Sequence, residues 1–161
     1  MEPIADQLED LWDRFDALEA PEFSGLLESL LAQLPEGDPR IAFERGGFQD
    51  ATDHPVEAVE LYRQALSEGL SGAPRRQAVI QLASSLRNLG ELVESEALLR
   101  AELEHPVDEY TSAIQAFLAL VLGSRGRDQE GLSVALTALI PHVTQYQTSL
   151  THYVQEMSSR R

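Results

Sequence analysis

Histidine is the first residue type to consider for catalysis or metal binding, and the chain has four. His54 and His105 each precede Pro-Val, and His142 follows Pro141, so these three are placed as residues at helix boundaries. His152 lies within a predicted helix. No two histidines stand four residues apart with a glutamate between them, the spacing of a zinc-binding helix. We therefore predict no metal site and no catalytic histidine.

The remaining chemical motifs are equally weak. Ser84-Ser85 lies in a helical pattern without the glycines that surround a nucleophilic serine at a strand-to-helix turn. The chain has no cysteine, which excludes disulfides and thiolate chemistry, and no lysine, so Gly46-Gly47 is not a phosphate-binding loop. Abundant carboxylate pairs are typical of a solvated helix face in so acidic a chain. We predict a non-catalytic protein without a cofactor.

Charge and hydropathy exclude several classes of partner. The formal net charge is −15, and residues 1–38 contain eleven acidic side chains against one base, Arg14. An acidic surface repels nucleic acid phosphates and anionic membranes, so we expect neither as a partner. No apolar run reaches the roughly 20 residues of a membrane-spanning helix, and the acidic start is unlike a signal peptide. We expect a cytoplasmic protein.

Apolar residues recur at helical spacing in almost every segment between Gly and Pro breakers. Asp38-Pro39 predicts a helix start, with Asp38 as N-cap. No alternating run is long enough for a strand, and the chain is predicted to be all-α. The predicted helices run from Ile4 to Leu18, Phe23 to Leu34, Ile41 to Thr52, Val56 to Glu68, Arg75 to Leu89, Glu91 to Glu104, Glu109 to Leu122, Gln129 to Ile140 and Val143 to Met157.

Aligning the helix pairs on their short turns reveals a repeat. The small residues Ala58, Ser95 and Gly131 follow one another at intervals of 37 and 36 residues. The segments 82–86 and 118–122 match at an offset of 36 residues, each placing an apolar residue before a small one. A period in this range is typical of stacked helix hairpins, because a single hairpin cannot bury its apolar face alone.

Two segments carry a family resemblance. Residues 53–66, with Ala58, Tyr62 and Ala65 in sequence, are similar to the second helix of a tetratricopeptide repeat. Residues 82–91, Leu-Ala-Ser-Ser-Leu-Arg-Asn-Leu-Gly-Glu, resemble its first helix and turn. The stretch from Ala42 to Leu139 also resembles a bacterial tetratricopeptide subgroup with an Ala-Ser-Ser/Thr-Leu-Arg-Asn-Leu-Gly signature.

The resemblance implies a right-handed superhelix of antiparallel helix pairs, with about three repeats and capping helices. We predict a single domain with a cap pair in residues 1–38, three repeats in 39–141 and a capping helix in 142–161. Tyr146 and Tyr153 are expected to cover the last repeat with their rings. The chain departs from the family pattern at two positions. Asp53 stands where the turn usually has glycine, and Gly131 stands where alanine is usual.

In this family the first helices line the concave face, which predicts the location of a peptide-binding site. Arg87 and Asn88 are of interest because guanidinium can hold a carboxylate and an amide can bond a peptide backbone. The alternative is that Arg87 pairs with an acidic neighbour and Asn88 helps to end the helix before Gly90. The predicted peptide-binding residues are Arg40, Phe43, Glu44, Gln77, Ile80, Ser84, Arg87, Asn88, Phe117 and Leu120.

Three functions remain open at this point. The first is a protein- or peptide-binding adaptor or scaffold that uses the concave face. The second is a self-associating subunit, such as a homodimer, joined by apolar surface around Tyr146, Tyr153 and Met157. The third is an acidic regulator whose N-terminal segment docks on a basic partner.

Overall fold

The computed structural model describes residues 3–159. Within them the chain forms nine α-helices, two short 3₁₀ turns and no strand, which confirms the prediction of an all-α fold. The helices are α1 (Ile4–Trp12), α2 (Ala20–Leu31), α3 (Pro39–Ala51), α4 (Pro55–Ser67), α5 (Gly72–Asn88), α6 (Leu92–Leu103), α7 (Thr111–Ser124), α8 (Asp128–Leu139) and α9 (Gln147–Ser159), with 3₁₀ turns at Phe15–Ala17 and Ile140–His142.

The chain divides into two compact units, the first ending at Ser71 and the second beginning at Gly72. In the first unit α1 packs on α2, α2 on α3 and α3 on α4. Its core includes an aromatic cluster in which Phe23 lies 4.8 Å from Trp12, 4.9 Å from Phe15 and 5.9 Å from Phe48, measured between ring centroids. Contacts between the rings therefore hold the first hairpin and α3 together.

In the second unit each helix packs on the next, from α5 to α9, and α5 also packs on α7. Its core is aliphatic, with Leu99, Ile114 and Leu122 fully buried among the residues that α5, α6 and α7 contribute. The periodic Leu, Ile and Ala of these helices therefore form one continuous apolar interior.

Matching turns within the hairpins explain the repeat period. A residue with left-handed backbone follows the last turn of α3, α5 and α7, and it is Asp53 (φ 63°), Gly90 (φ 85°) and Gly126 (φ 72°) respectively. In each case the next amide reaches back to the helix, as when Glu91 N donates to the Leu86 carbonyl at 2.9 Å. This is the Schellman arrangement, which favours glycine because it has no Cβ.

The small residues of the repeat lie where the two helices of a hairpin cross. Ala58 is fully buried, and the hydroxyl of Ser95 donates to the carbonyl of Ala83 at 2.6 Å. At Gly131 an added Cβ would stand 2.9 Å from the carbonyl oxygen of Ala119. The third crossing is therefore too close for alanine, which accounts for the departure at this position.

Two local predictions are wrong. The first helix ends at Trp12 instead of Leu18, and a 3₁₀ turn follows in which Phe15 is placed edge-on against Phe23. Tyr146 and Tyr153 do not cover the last repeat, because 76% and 59% of their surfaces are exposed. The half-buried residues of α9 are the aliphatic ones, Leu150, Val154 and Met157.

Candidate functional site

Seven of the ten predicted binding residues lie on two neighbouring helices of the second unit, and six of the seven are at least partly exposed. We call this surface the α5–α7 face, and its predicted members are Gln77, Ser84, Arg87 and Asn88 on α5 and Phe117 and Leu120 on α7. None of these six is among the buried core residues. On α5, Ser84 is seven residues from Gln77, three from Arg87 and four from Asn88. On α7, Phe117 and Leu120 are three residues apart. These separations place the members on one side of each helix.

Two hydrogen bonds link the helices across this face. Near the start of both helices, Gln77 Nε2 donates to the Tyr110 hydroxyl at 3.2 Å. Near their ends, Arg87 Nε donates to Ser124 Oγ at 2.9 Å. Because start is bonded to start and end to end, α5 and α7 run parallel, and their exposed side chains lie side by side.

Arg87 differs from most arginines of the chain in having neutral partners. Besides Ser124, its guanidinium contacts Asn88 Oδ1 at 3.5 Å, and between residues 3 and 159 it forms no ion pair. The alternative in which Arg87 pairs with an acidic neighbour is therefore not what the structure shows. Arginines that do pair with a carboxylate include Arg40, Arg45, Arg75, Arg76, Arg100, Arg125 and Arg127.

Apolar surface lies next to this guanidinium. On α7, Ser124 is one turn beyond Leu120 and two turns beyond Phe117, so the three share one side of the helix. Leu120 is 51% exposed and Phe117 is half-buried. The α5–α7 face thus combines a cation held by neutral groups with an adjacent apolar strip.

Gln81 lies on the same side of α5, one turn from both Gln77 and Ser84. Its side-chain carbonyl oxygen is buried and has no hydrogen-bond partner within the described part of the chain. A buried acceptor without a donor costs about 1–3 kcal/mol, so this amide is a local weakness in the face.

Two predicted binding residues belong to the core instead. Phe43 is 8% exposed and its ring centroid lies 6.3 Å from that of Tyr62, between α3 and α4. Ile80 is 9% exposed and packs in the apolar interior of the second unit. The assignment of these two to an open groove was wrong, because helical spacing alone does not distinguish an exposed strip from the edge of a core.

Arg40 and Glu44 lie in the first unit and are both engaged locally. Arg40 forms a two-pronged ion pair with Asp38, whose side chain also caps α3 by accepting from the Arg40 amide at 3.0 Å. Glu44 accepts a hydrogen bond from Trp12 Nε1 at 2.6 Å. Burial raises the pKa of the Glu44 carboxyl, and the Trp12 bond and the Arg40 charge offset this only in part.

Sequence reasoning missed two buried glutamates on α6. Glu102 is 2% exposed and is bound by Arg75 and Arg76 of α5. Arg76 also forms an ion pair with Asp108, with an Nε–Oδ2 distance of 2.7 Å. Burial alone raises the pKa of the Glu102 carboxyl, but the two guanidinium groups outweigh it and the pKa is lowered. The Arg75-Arg76 pair was the available signal, although nothing in the sequence indicates its partner.

The second glutamate, Glu96, connects α6 with the turn between α7 and α8. Its carboxylate binds Arg100 on its own helix and both Arg125 and Arg127 from the turn between α7 and α8. Burial raises the pKa of the Glu96 carboxyl, whereas hydrogen bonds and charge from Arg100 and Arg127 lower it, and the net direction is down. Both clusters fix loops, since Arg76 of α5 binds Asp108 of the α6–α7 loop and Glu96 of α6 binds the turn between α7 and α8.

One histidine, His142, lies beside a serine hydroxyl, the pair that a hydrolytic site would need. His142 Nε2 lies 3.0 Å from the Ser112 hydroxyl, a pairing that a sequence separation of 30 residues conceals. Within the described chain no carboxylate contacts that ring, so the third member of a hydrolytic triad is missing. No group of three or more His, Cys, Asp or Glu among the residues described could hold a metal ion.

The comparisons with known proteins identify the family. Residues 39–157, more than half of the chain, match the family model described as tetratrico peptide repeat. The chain therefore belongs to the tetratricopeptide repeat family, whose repeats generally mediate protein–protein interaction. No curated protein and no solved structure matches it. In the part of the chain described, no helix combines the length and apolarity that crossing a membrane requires.

Proposed function

We propose that this chain is a non-catalytic, cytoplasmic adaptor that binds a peptide segment of another protein on the α5–α7 face. The observation that carries the proposal is the state of Arg87, which is held by Ser124 and Asn88 and by no carboxylate between residues 3 and 159. In a chain of net charge −15, a guanidinium without an acidic partner is available to a carboxylate from outside.

The chemistry of the face defines the ligand. Arg87 selects an acidic side chain or a terminal carboxylate, and exposed Leu120 with half-buried Phe117 favours an apolar residue beside it. Gln77 and Asn88 supply exposed amides that can bond a peptide backbone. A short segment with one acidic and one large apolar residue meets all three requirements.

Selection from a random peptide library displayed on phage tests this proposal without a known partner. We expect enriched peptides to combine an acidic group with an apolar residue. Calorimetry with a synthetic copy of one such peptide should show about 10- to 100-fold weaker binding to the Arg87→Ala variant, because a charge-assisted hydrogen bond contributes roughly 1.5–3 kcal/mol.

Arg45→Ala is the matched control, since it makes the same change of charge at an exposed ion pair in the first unit. Because Arg45 belongs to neither α5 nor α7, this variant should change the affinity less than about twofold. Equal losses in both variants, or no enrichment of acidic peptides, would reject the α5–α7 face as the binding site.

Self-association is a second candidate, and the exposure of Tyr146 and Tyr153 favours it. Aromatic side chains with a polar end are enriched in protein interfaces, and two such rings lie near one another in sequence at the last described helix. Light scattering over a range of concentrations tests the idea. A constant monomer mass would exclude self-association and leave the peptide-binding proposal unaffected.

A further inference from the structure

The first unit has an open groove that its own packing does not fill. The groove lies where α2 and α4 both flank the start of α3, and its volume is about 410 Å³. Sites that accept small ligands or several side chains of a partner have volumes of about 300–1,000 Å³. All of its lining residues belong to the first unit. We call it the α2–α4 groove.

The floor of the α2–α4 groove is apolar. Leu31, Leu34 and Ala42 lie at its base, with exposed fractions of 2%, 9% and 3%. Ile41 and Leu61 are half-buried and bring aliphatic surface to its walls. An apolar side chain that entered the groove would therefore leave water for a hydrocarbon surface.

The rim of the groove is acidic. Glu28, Glu36, Asp38 and Glu68 line it, against a single base, Arg45. Glu28 is neutralised by a two-pronged contact with Arg45, at 2.8 and 2.6 Å.

Asp38 is neutralised in the same way by Arg40. Glu36 and Glu68 are the two rim carboxylates that form no ion pair with any residue between 3 and 159. The amide of Gln64 donates to Glu68 at 2.9 Å and leaves its charge in place.

From this arrangement we infer that the α2–α4 groove binds a segment of a partner protein in which an arginine or lysine stands beside a large apolar residue. The apolar residue contacts the floor, and the cation lies against Glu36 or Glu68. The carboxylates are spread around the rim and do not converge as metal ligands, since the described chain holds no such cluster. An extended occupant with a separate apolar and cationic part fits this spacing.

The inference concerns a different surface and the opposite ligand charge from the α5–α7 face. Arg87 selects an acidic group, whereas Glu36 and Glu68 select a basic one. A single partner peptide of one charge type therefore cannot satisfy both surfaces equally, and each can be tested while the other is intact.

The probe is a short fluorescein-labelled amphipathic peptide with leucines on one side and arginines at its margins. Fluorescence anisotropy is measured with the intact chain. We expect the wild-type protein to bind it and the Glu36→Gln/Glu68→Gln double variant to bind about tenfold more weakly, the combined effect of two rim ion pairs of roughly 0.2–1 kcal/mol each.

The Glu57→Gln/Glu60→Gln variant removes the same charge from exposed positions of α4 that do not line the groove. It should weaken binding less than twofold. A steric variant, Ala32→Trp, fills the exposed edge of the groove without a change of charge and should abolish binding. Its control is Ala97→Trp on an exposed position of α6, which should bind as the wild type does.

Circular dichroism shows whether each variant is folded, and methyl NMR shifts of Leu34, Ile41 and Leu61 on titration report contact with the groove even if one variant fails to fold. Equal weakening by the two charge variants, unchanged binding to Ala32→Trp, absence of those shifts, or no binding to the wild type would each overturn the inference. The Arg87→Ala variant should bind the probe as the wild type does. A failure of the groove proposal can therefore be distinguished from a failure of the proposal for the α5–α7 face.

Discussion

A half-buried glutamate of the first unit, Glu44, and a buried one of the second, Glu102, show how the same residue type can be stabilised in opposite ways. Glu102 of α6 is bound by two arginines, and its pKa is lowered. Glu44 of α3 accepts a hydrogen bond from the neutral indole N–H of Trp12 at 2.6 Å, and burial raises the pKa of its carboxyl. A buried carboxylate therefore stabilises its surroundings as an anion only where cations compensate for the lost water.

The two directions have opposite consequences for stability against pH. For a lowered pKa, as at Glu102, the stabilisation is present above the unfolded pKa of about 4.5 and is lost as the pH falls through the folded value. For the raised pKa of Glu44, the favourable contribution is present at pH values below 4.5 and is lost as the pH rises through the folded value. Lowering the pH should thus remove the stabilising contribution of Glu102 and remove the unfavourable one of the charged Glu44.

The largest effect is expected when the arginine cluster is broken. Arg76→Met removes a side chain that is 8% exposed and leaves Glu102 with Arg75 and, at 3.9 Å, the ring of His105. Breaking a buried ion pair costs about 3–5 kcal/mol, so we expect roughly 3 kcal/mol of lost unfolding free energy in urea. Arg45→Met at the exposed pair with Glu28 should cost less than about 1 kcal/mol. A loss at Arg76 no larger than at Arg45 would contradict the role assigned to the cluster.

The next largest effect concerns the crossings of the hairpins, where the first unit has Ala58 and the second has Gly131. Gly131→Ala puts a methyl group 2.9 Å from the Ala119 carbonyl, so we expect a destabilisation of about 1–2 kcal/mol despite the better helix propensity of alanine. Gly25→Ala on α2, where a Cβ meets nothing within 4 Å, should stabilise by up to about 1 kcal/mol. Thermal unfolding of both variants checks this. Shifts of the same sign would refute the close approach.

Glu44→Gln sharpens the comparison between the two glutamates. The neutral amide keeps an oxygen for Trp12 and avoids the burial of a charge, so at pH 7 we expect a gain on the order of 1 kcal/mol. The gain should shrink as the pH falls toward 4, because Glu44 of the wild type then becomes neutral as well. Urea unfolding at several pH values measures this, with Glu57→Gln as an exposed control. A variant less stable than wild type at pH 7 would show that the charge is needed.

The smallest effect is expected at the turns. Asp53 has the left-handed backbone (φ 63°) that Gly90 and Gly126 have in the second unit. Asp53→Gly removes the strain of a Cβ at this position and should stabilise by roughly 0.5–1 kcal/mol, although greater freedom of the unfolded chain offsets part of the gain. Hydrogen exchange of the amides that follow α3 would report it. Faster exchange in the variant would indicate that the Asp53 side chain stabilises the turn.

That the α5–α7 face binds a partner stays a prediction, but the accessibility of its residues has a physical reason. The face periodicity of α5 and α7 places Gln77, Arg87 and Leu120 on accessible positions, as expected of residues outside the apolar stripe. The same rule failed for Phe43 and Ile80, which are buried. Spacing along a helix gives the direction of a side chain but not the distance to the next helix, and that distance decides whether the side chain is covered.

Local chemistry was sufficient for the elements and their period. The cap at Asp38 and the left-handed turn residues act over a few neighbouring positions, so their effect can be read from the sequence, and the spacing of the small residues gives the period. The partners of charged groups could not be obtained in this way. Glu102 and Arg76 stand 26 residues apart, and only the packing of α6 on α5 brings them together.

The sequence by itself therefore determined that the chain is helical, where its hairpins turn and how often they recur, because these properties depend on contacts between near neighbours. Only the tertiary structure decided which arginines are neutralised, that Arg87 keeps neutral partners, and that α2 and α4 leave an acid-rimmed groove open beside α3. Those properties depend on distances between helices, which side chains far apart in the sequence set jointly.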